Sequence, residues 1–295
     1  VTSKSKNKAI SYETARGLAR ALDPKVRADL ARRSDIKSEI LYFLADDESP
    51  DVRRAIAEKE ATLDQANELL VKDADNGVRT GLVAKIARLA PNLNVDEQNQ
   101  VHQTTHDLMS NLAQDQIAHV RTVLSETLKD VANAPADVIK RLAMDPEIDV
   151  AGPVLEFSSV LTDDDLSEII HSGPASGGLG SISRRHAVGE GVADAIVATN
   201  DEDAIAQLIG NASAQIREET LDRLVEQAEN VELWHAPLVA RPKLSTLAAG
   251  RLAQFIANYL LEQLQSRSVF DEDTLSAVTR IVHQRLGEVE GTGIV

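Results

Sequence analysis

His102 and His106 stand four residues apart, the spacing with which one helix face can chelate zinc. The intervening residues read His-Gln-Thr-Thr-His, without the glutamate that a zinc-dependent peptidase needs as its base. Glu97 and His171 are the only candidates for a third ligand, and neither has a ligand spacing. Two solvent-facing histidines are therefore the simpler expectation, with no metal. Arg184 and Arg185 follow a Gly/Ser-rich stretch, 173–181, at an expected helix start. Helix-terminal N–H groups beside two guanidinium forks can hold a phosphate or nucleotide. The stretch lacks the lysine of a P-loop and no strand precedes it, so a connector is the plainer reading. Asp163, Asp164 and Asp165 suit a helix first turn, where the dipole favours carboxylates, better than a cation site. No Gly-x-Ser-x-Gly, no cysteine and no dinucleotide fingerprint is present, and His186 and His235 lack a recognisable Ser or Asp partner. The expectation is a non-enzyme without a cofactor.

The most regular chemistry lies elsewhere. A Leu is followed two or three positions later by Asp or Asn, and then by Val-Arg or Ile-Arg. The copies are Leu44-Asp46 with Arg53, Leu70-Asp73 with Arg79, Leu112-Asp115 with Arg121, and Leu208-Asn211 with Arg217. Leu142-Asp145 with Val150 is a degenerate copy in which Ala151 takes the place of the arginine. In this pattern the Leu closes one helix onto the core, the Asp accepts N–H groups in the turn, and the Val re-enters the core. The Arg can pair with the Asp of its own repeat or of the neighbour. These residues are expected to be structural joints rather than a row of ligand-binding arginines.

The elements that would position such joints are short helices. Apolar residues recur at helical spacing, as in Ile36, Ile40, Leu41, Leu44 and again in Leu63, Ala66, Leu69, Leu70. Thr62 to Gln65 reads as a capping box, and Pro24, Pro50, Pro135, Pro146 and Pro237 mark helix starts or breaks. Hydrophobic residues make up 43% of the 295-residue chain and aromatics only 3%, so Ala, Leu, Ile and Val must build the core. The fold expected is all-α, a HEAT-like helical-repeat solenoid (an α-α superhelix) with longer C-terminal helices. Its parts are a basic disordered tail over 1–9, a helical-repeat half over 10–172, the loop 173–181, a second helical half over 182–286 and a frayed tail over 287–295.

The Asp-x(4–5)-Val-Arg recurrences between short helices resemble HEAT repeats, and Leu44 to Ala57 is similar to the leucine-rich-variant repeat. Downstream, Ile182-Ser-Arg-Arg185, Val192 to Val197, Leu208 to Asn211, Pro237 to Pro242 and the long helix over 244–266 follow in an order that resembles a bacterial domain-of-unknown-function family, number 2336. The resemblance covers most of residues 30–270. It implies a helical-repeat fold and lends no activity.

Charge narrows the partners. Residues 1–95 hold 17 Lys/Arg against 15 Asp/Glu, and residues 96–295 hold 14 against 32. An acidic body repels phosphate backbones, so nucleic acid is an unfavoured partner, and so is the reading as a HEAT-like DNA-repair enzyme. No apolar run is long enough for a membrane span, which together with the absence of cysteine suggests a cytoplasmic protein. The expected function is that of a protein-interaction scaffold, with an anion-binding module centred on Arg184 and Arg185 as the alternative. Apolar stripes on the last two helices suggest a homodimer. Trp234 is either a plug in the core or, with Phe255 and Tyr259, part of an interface.

Overall fold

The computed structural model describes residues 9–59, 62, 64–89, 100–241, 244–266 and 272–291. Among them the structure is all-helical, with one isolated bridge between Val188 and Ala214. The chain divides into two compact units, Val1–Thr162 with Pro174–Ser176, and Asp163–Gly173 with Gly177–Val295. The division thus begins at Asp163, ahead of the Gly/Ser-rich stretch where the composition places it.

Unit 1 contains α1 (Tyr12–Leu18), α2 (Pro24–Arg32), α3 (Ser38–Ala45), α4 (Pro50–Ala57), α5 (Asp64–Leu70), α6 (Asn76–Leu89), α7 (Gln100–Leu112), α8 (Ala118–Leu128), α9 (Ala136–Ala143) and α10 (Ile148–Phe157). Prolines occupy the first turn of α2 and α4, where the missing N–H costs nothing. The helices form two layers. In one, α2, α4, α6, α8 and α10 pack each on the next; in the other, α3 packs on α5 and α5 on α7. One frame of residues explains the regularity. Leu44, Leu70, Leu112 and Leu142 are fully buried, as are Val52, Val78, Val120 and Val150 eight residues further on. Ile56, Leu82, Leu124 and Val154 complete each repeat one helical turn later, again with no exposed surface. Each repeat therefore buries three aliphatic side chains between the layers, at about 1.5–3 kcal/mol apiece.

Unit 2 contains α11 (Asp163–Ser172), α12 (Gly178–Ser183), α13 (Glu190–Ala198), α14 (Glu202–Gly210), α15 (Glu218–Gln227), α16 (His235–Val239), α17 (Thr246–Ser266) and α18 (Glu272–Gly291). The acidic first turn of α11 holds Asp163, Asp164 and Asp165 as the dipole argument requires. α11 packs on α13, α12 on α14, and α17 on α15, α16 and α18. Three expectations change here. Residues 178–181 are the start of α12 rather than loop, entered through Gly177 at φ 89°, a conformation that favours glycine. Residues 287–291 continue α18 instead of fraying. Pro237 lies inside α16 rather than at its start. The expected tail over 1–8 and the segment 292–295 lie outside the described residues.

Close approach fixes one glycine in this unit. A Cβ on Gly189, at the N-cap of α13, would stand 2.1 Å from an Oδ of Asp163 on α11. Asp163 is exposed and its carboxylate is the end of a flexible side chain, so Gly189→Ala should lower the thermal midpoint only modestly, by the equivalent of under about 1 kcal/mol. The same substitution in an Asp163→Ala background should cost clearly less. Calorimetric melts of the four chains test this coupling.

Candidate functional site

The recurring Asp and Arg residues come together in unit 1 as a ladder. Arg27 reaches Asp47, Arg53 reaches Asp73, Arg79 reaches Asp115, and Arg121 reaches Asp145. Each guanidinium uses Nε and one Nη on the two carboxylate oxygens, at 2.6 and 2.9 Å for Arg53 on Asp73. The other Nη turns back to the turn six residues earlier, as Arg53 does to the Asp47 carbonyl at 2.7 Å and Arg121 to the Asp115 carbonyl at 2.6 Å. The carboxylate does a second job. One oxygen accepts the backbone N–H two residues ahead, Ser49 for Asp47, Asp75 for Asp73, Ile117 for Asp115 and Glu147 for Asp145. Each Asp thus shapes its own turn and receives the arginine of the preceding repeat. Of the two pairings the sequence leaves open, the structure has the one between neighbours.

The ladder side chains are nearly out of solvent, with 16% of Arg53 and 6% of Asp73 exposed. Hydrogen bonding to Asp73 raises the Arg53 pKa above its ordinary value, and Asp145 does the same for Arg121. Burial alone would raise the Asp47 pKa, but Arg27 and the Ser49 N–H outweigh it and the net shift is downward. The ladder begins and ends cleanly. The turn before Arg27 has Ala21 in the aspartate position, and the repeat after Asp145 has Ala151 in the arginine position.

Two sequence-predicted joints are corrected. Asp46 is exposed at the end of α3, and Asp47 takes the rung. The offset of three residues from Leu to Asp in every other copy selects Asp47 over Asp46. In unit 2, Asn211 and Arg217 do not form a rung. The Asn211 amide donates to the Ser183 and Arg185 carbonyls at 2.8 and 2.7 Å, while Arg217, exposed at the N-cap of α15, meets Glu190 and Asp194. Asn fits where the facing groups are carbonyls that need a donor. Arg241, not singled out in the sequence, supplies the remaining donors. Its guanidinium reaches the Ile209, Asn211 and Ala214 carbonyls, and burial lowers its pKa.

Arg184 and Arg185 stand at the C-terminal end of α12, not at a helix start. Arg184 donates to Gln207 and to Ser181, and Arg185 is buried to 9% exposure. Trp234 is buried at 3% exposure with its indole N–H on the Glu202 carbonyl at 2.9 Å, which makes it a core residue. Phe255 and Tyr259 on α17 are half-buried. The Tyr259 hydroxyl donates to Glu232, and its ring stands edge-on to His235 with centroids 6.0 Å apart. Thr62 is no cap: its hydroxyl donates to Asn67 and accepts from buried Lys85. The His102 side chain lies outside the described ones. His106 has Nε2 on both oxygens of Asp137, at 3.0 and 3.1 Å, and Nδ1 3.6 Å from Asp107. Among the described residues no three metal-ligating side chains converge.

Clefts open along the ladder edge. One of roughly 800 Å³ lies between the first turns, bordered by Leu22, Tyr42, Phe43 and Leu69. A second of roughly 650 Å³ is bordered by Val71, Asn111, Gln114 and Ile117, and a third of roughly 390 Å³ by Arg141, Met144 and Pro146. Leu22, Phe43, Leu69, Ile117 and Met144 are all exposed large apolar residues. Sequence periodicity places Leu69 in a stripe with Leu63, Ala66 and Leu70; it faces the first of these clefts instead.

Residues 150–290 match the model of a family described as an uncharacterised protein conserved in bacteria (DUF2336), so the chain is similar to that family over its C-terminal part. Residues 30–149, to which the motif resemblance extends, lie outside the match. No curated protein matches the chain. Among the described residues no helix is long and apolar enough to cross a membrane.

Arg53→Ala leaves a buried carboxylate without its partner and should cost about 3–5 kcal/mol in urea unfolding. Arg32→Ala, which removes an exposed pair with Asp29 on α2, should cost under about 0.5 kcal/mol. The His106–Asp137 contact has its own signature. The hydrogen bond to Asp137 raises the His106 pKa above 6.5, so its stabilisation is full below 6.5 and lost as pH rises through the raised value. Partial burial alone would push the Asp137 pKa up, yet His106 draws it below 3.8, so this contribution is lost as pH falls through the lowered value. The melting difference between the native chain and His106→Gln should therefore be largest in mildly acidic buffer and shrink towards alkaline pH. A difference independent of pH would contradict the assignment.

Proposed function

We propose that this chain is a non-catalytic protein-interaction scaffold of HEAT-like repeats, acting through an extended surface. The observation that carries the reading is how the ladder arginines are used. Each is held by a carboxylate and by backbone carbonyl oxygen, so a phosphate ligand would have to displace a buried bidentate pair. What remains accessible along that edge is apolar side chains in open clefts, from Leu22 to Met144. Surfaces of this type suit protein segments, since stacked repeats present long contact faces. Regulation in a bacterial cytoplasm is the setting this reading suggests.

The C-terminal helices add a second surface. On α18, Leu275, Val278 and Val282 are only half-covered and Ile281 is 52% exposed; on α17, Leu260 is 54% exposed. An amphipathic helix with no buried residue among its described positions supports pairing with another helix. Multi-angle light scattering of the chain should show self-association that Leu260→Asp with Ile281→Asp reduces. Association unchanged by that pair would remove α17 and α18 from the interface.

A further inference from the structure

The cleft at the first two helix pairs of unit 1 has a charge pattern that its apolar floor does not explain. Arg16 on α1 and Arg20, two residues past its end, are exposed and make no side-chain hydrogen bond or ion pair among the described residues. Both border a small cleft that shares Phe43 with the larger one, and among the described residues Glu39 is its one lining carboxylate. On the second helix pair, Asp46 and Glu48 border the larger cleft, likewise exposed and without a side-chain hydrogen bond or ion pair among the described residues. Leu22 is 100% exposed and Phe43 53%. The surface is therefore basic on the first helix pair, acidic on the second and apolar between them.

We propose that the occupant of this cleft is a second copy of the chain, bound through a two-fold, self-complementary contact. A two-fold interface joins one patch to itself. With the two copies antiparallel, Arg16 and Arg20 of each fall opposite Asp46 and Glu48 of the other, and Leu22 and Phe43 of both meet at the centre. Four guanidinium and four carboxylate groups that make no side-chain hydrogen bond or ion pair among the described residues of the single chain then acquire one at the rim. The apolar centre supplies the affinity and the rim sets the register. A same-sign foreign segment would satisfy only one wall. This contact goes beyond the C-terminal pairing proposed above and does not require it.

Charge exchange between chains tests it. The full chain carrying Ile281→Asp, which silences α18, should show concentration-dependent dimerisation in sedimentation velocity, with Phe43→Asp raising the dissociation constant at least about tenfold. Arg16→Glu with Arg20→Glu makes both walls acidic, and Asp46→Arg with Glu48→Arg makes both basic. Each variant alone should be monomeric, and an equimolar mixture should form a heterodimer that weakens with salt. Circular dichroism of all variants should match the parent, since every substituted residue is exposed. A parent chain that stays monomeric up to about 200 µM overturns the proposal, as does a dimer indifferent to Phe43→Asp or a mixture that fails to associate. If association disappears with Ile281→Asp alone, the C-terminal reading stands and this one falls.

Discussion

Everything in unit 1 hangs on the buried pairing of each repeat's arginine with the aspartate of the next. Hydrophobic burial favours stacked helices but is tolerant of sliding, because Ala, Leu, Ile and Val pack in many ways. The ion pairs are not tolerant. A bidentate Arg–carboxylate contact has one geometry, and a miss strands a charge away from water. Because the same arginine also holds the turn six residues behind it, each rung fixes the position of two consecutive turns and the distance between them. Burial drives the stack, and the ladder sets its register.

This arrangement also decides what the surface can do. Arginines in a row read as an anion track until their partners are known. Once each is saturated, the edge offers turns, carboxylates and exposed apolar residues, which is the surface the proposed contact function would use. In unit 2 the same turn position meets backbone carbonyl groups instead of a guanidinium. There asparagine and Arg241 supply the donors, and Arg217 is released to the surface. One residue frame thus yields two kinds of joint, according to what stands opposite.

Much of this was legible in the sequence because the frame is strict where burial is strict. Leu at minus three and Val at plus five from each aspartate are buried in four repeats, and the Val-Arg dipeptide marks them. The choice between Asp46 and Asp47 depended on one residue of spacing, which adjacent acids conceal. Arg184 and Arg185 were misplaced because a glycine-rich stretch reads as loop, whereas Gly177 at positive φ starts a short helix within it. Leu69 obeys helical periodicity and still faces solvent, since periodicity reports a helix face and not what covers it. Arg241 sits within the Pro237–Pro242 motif, yet nothing there marks its role: its partners are main-chain carbonyl groups, which have no letter in a sequence.

The most direct test of the account is a double-mutant cycle on one rung, Arg121→Ala and Asp145→Ala singly and together, followed by chemical denaturation. If the pair is a joint, the two losses are strongly coupled, with the double variant recovering about 2–3 kcal/mol relative to their sum. Losses that add to within about 0.5 kcal/mol would show the two side chains acting independently, and the ladder could not be what registers the stack.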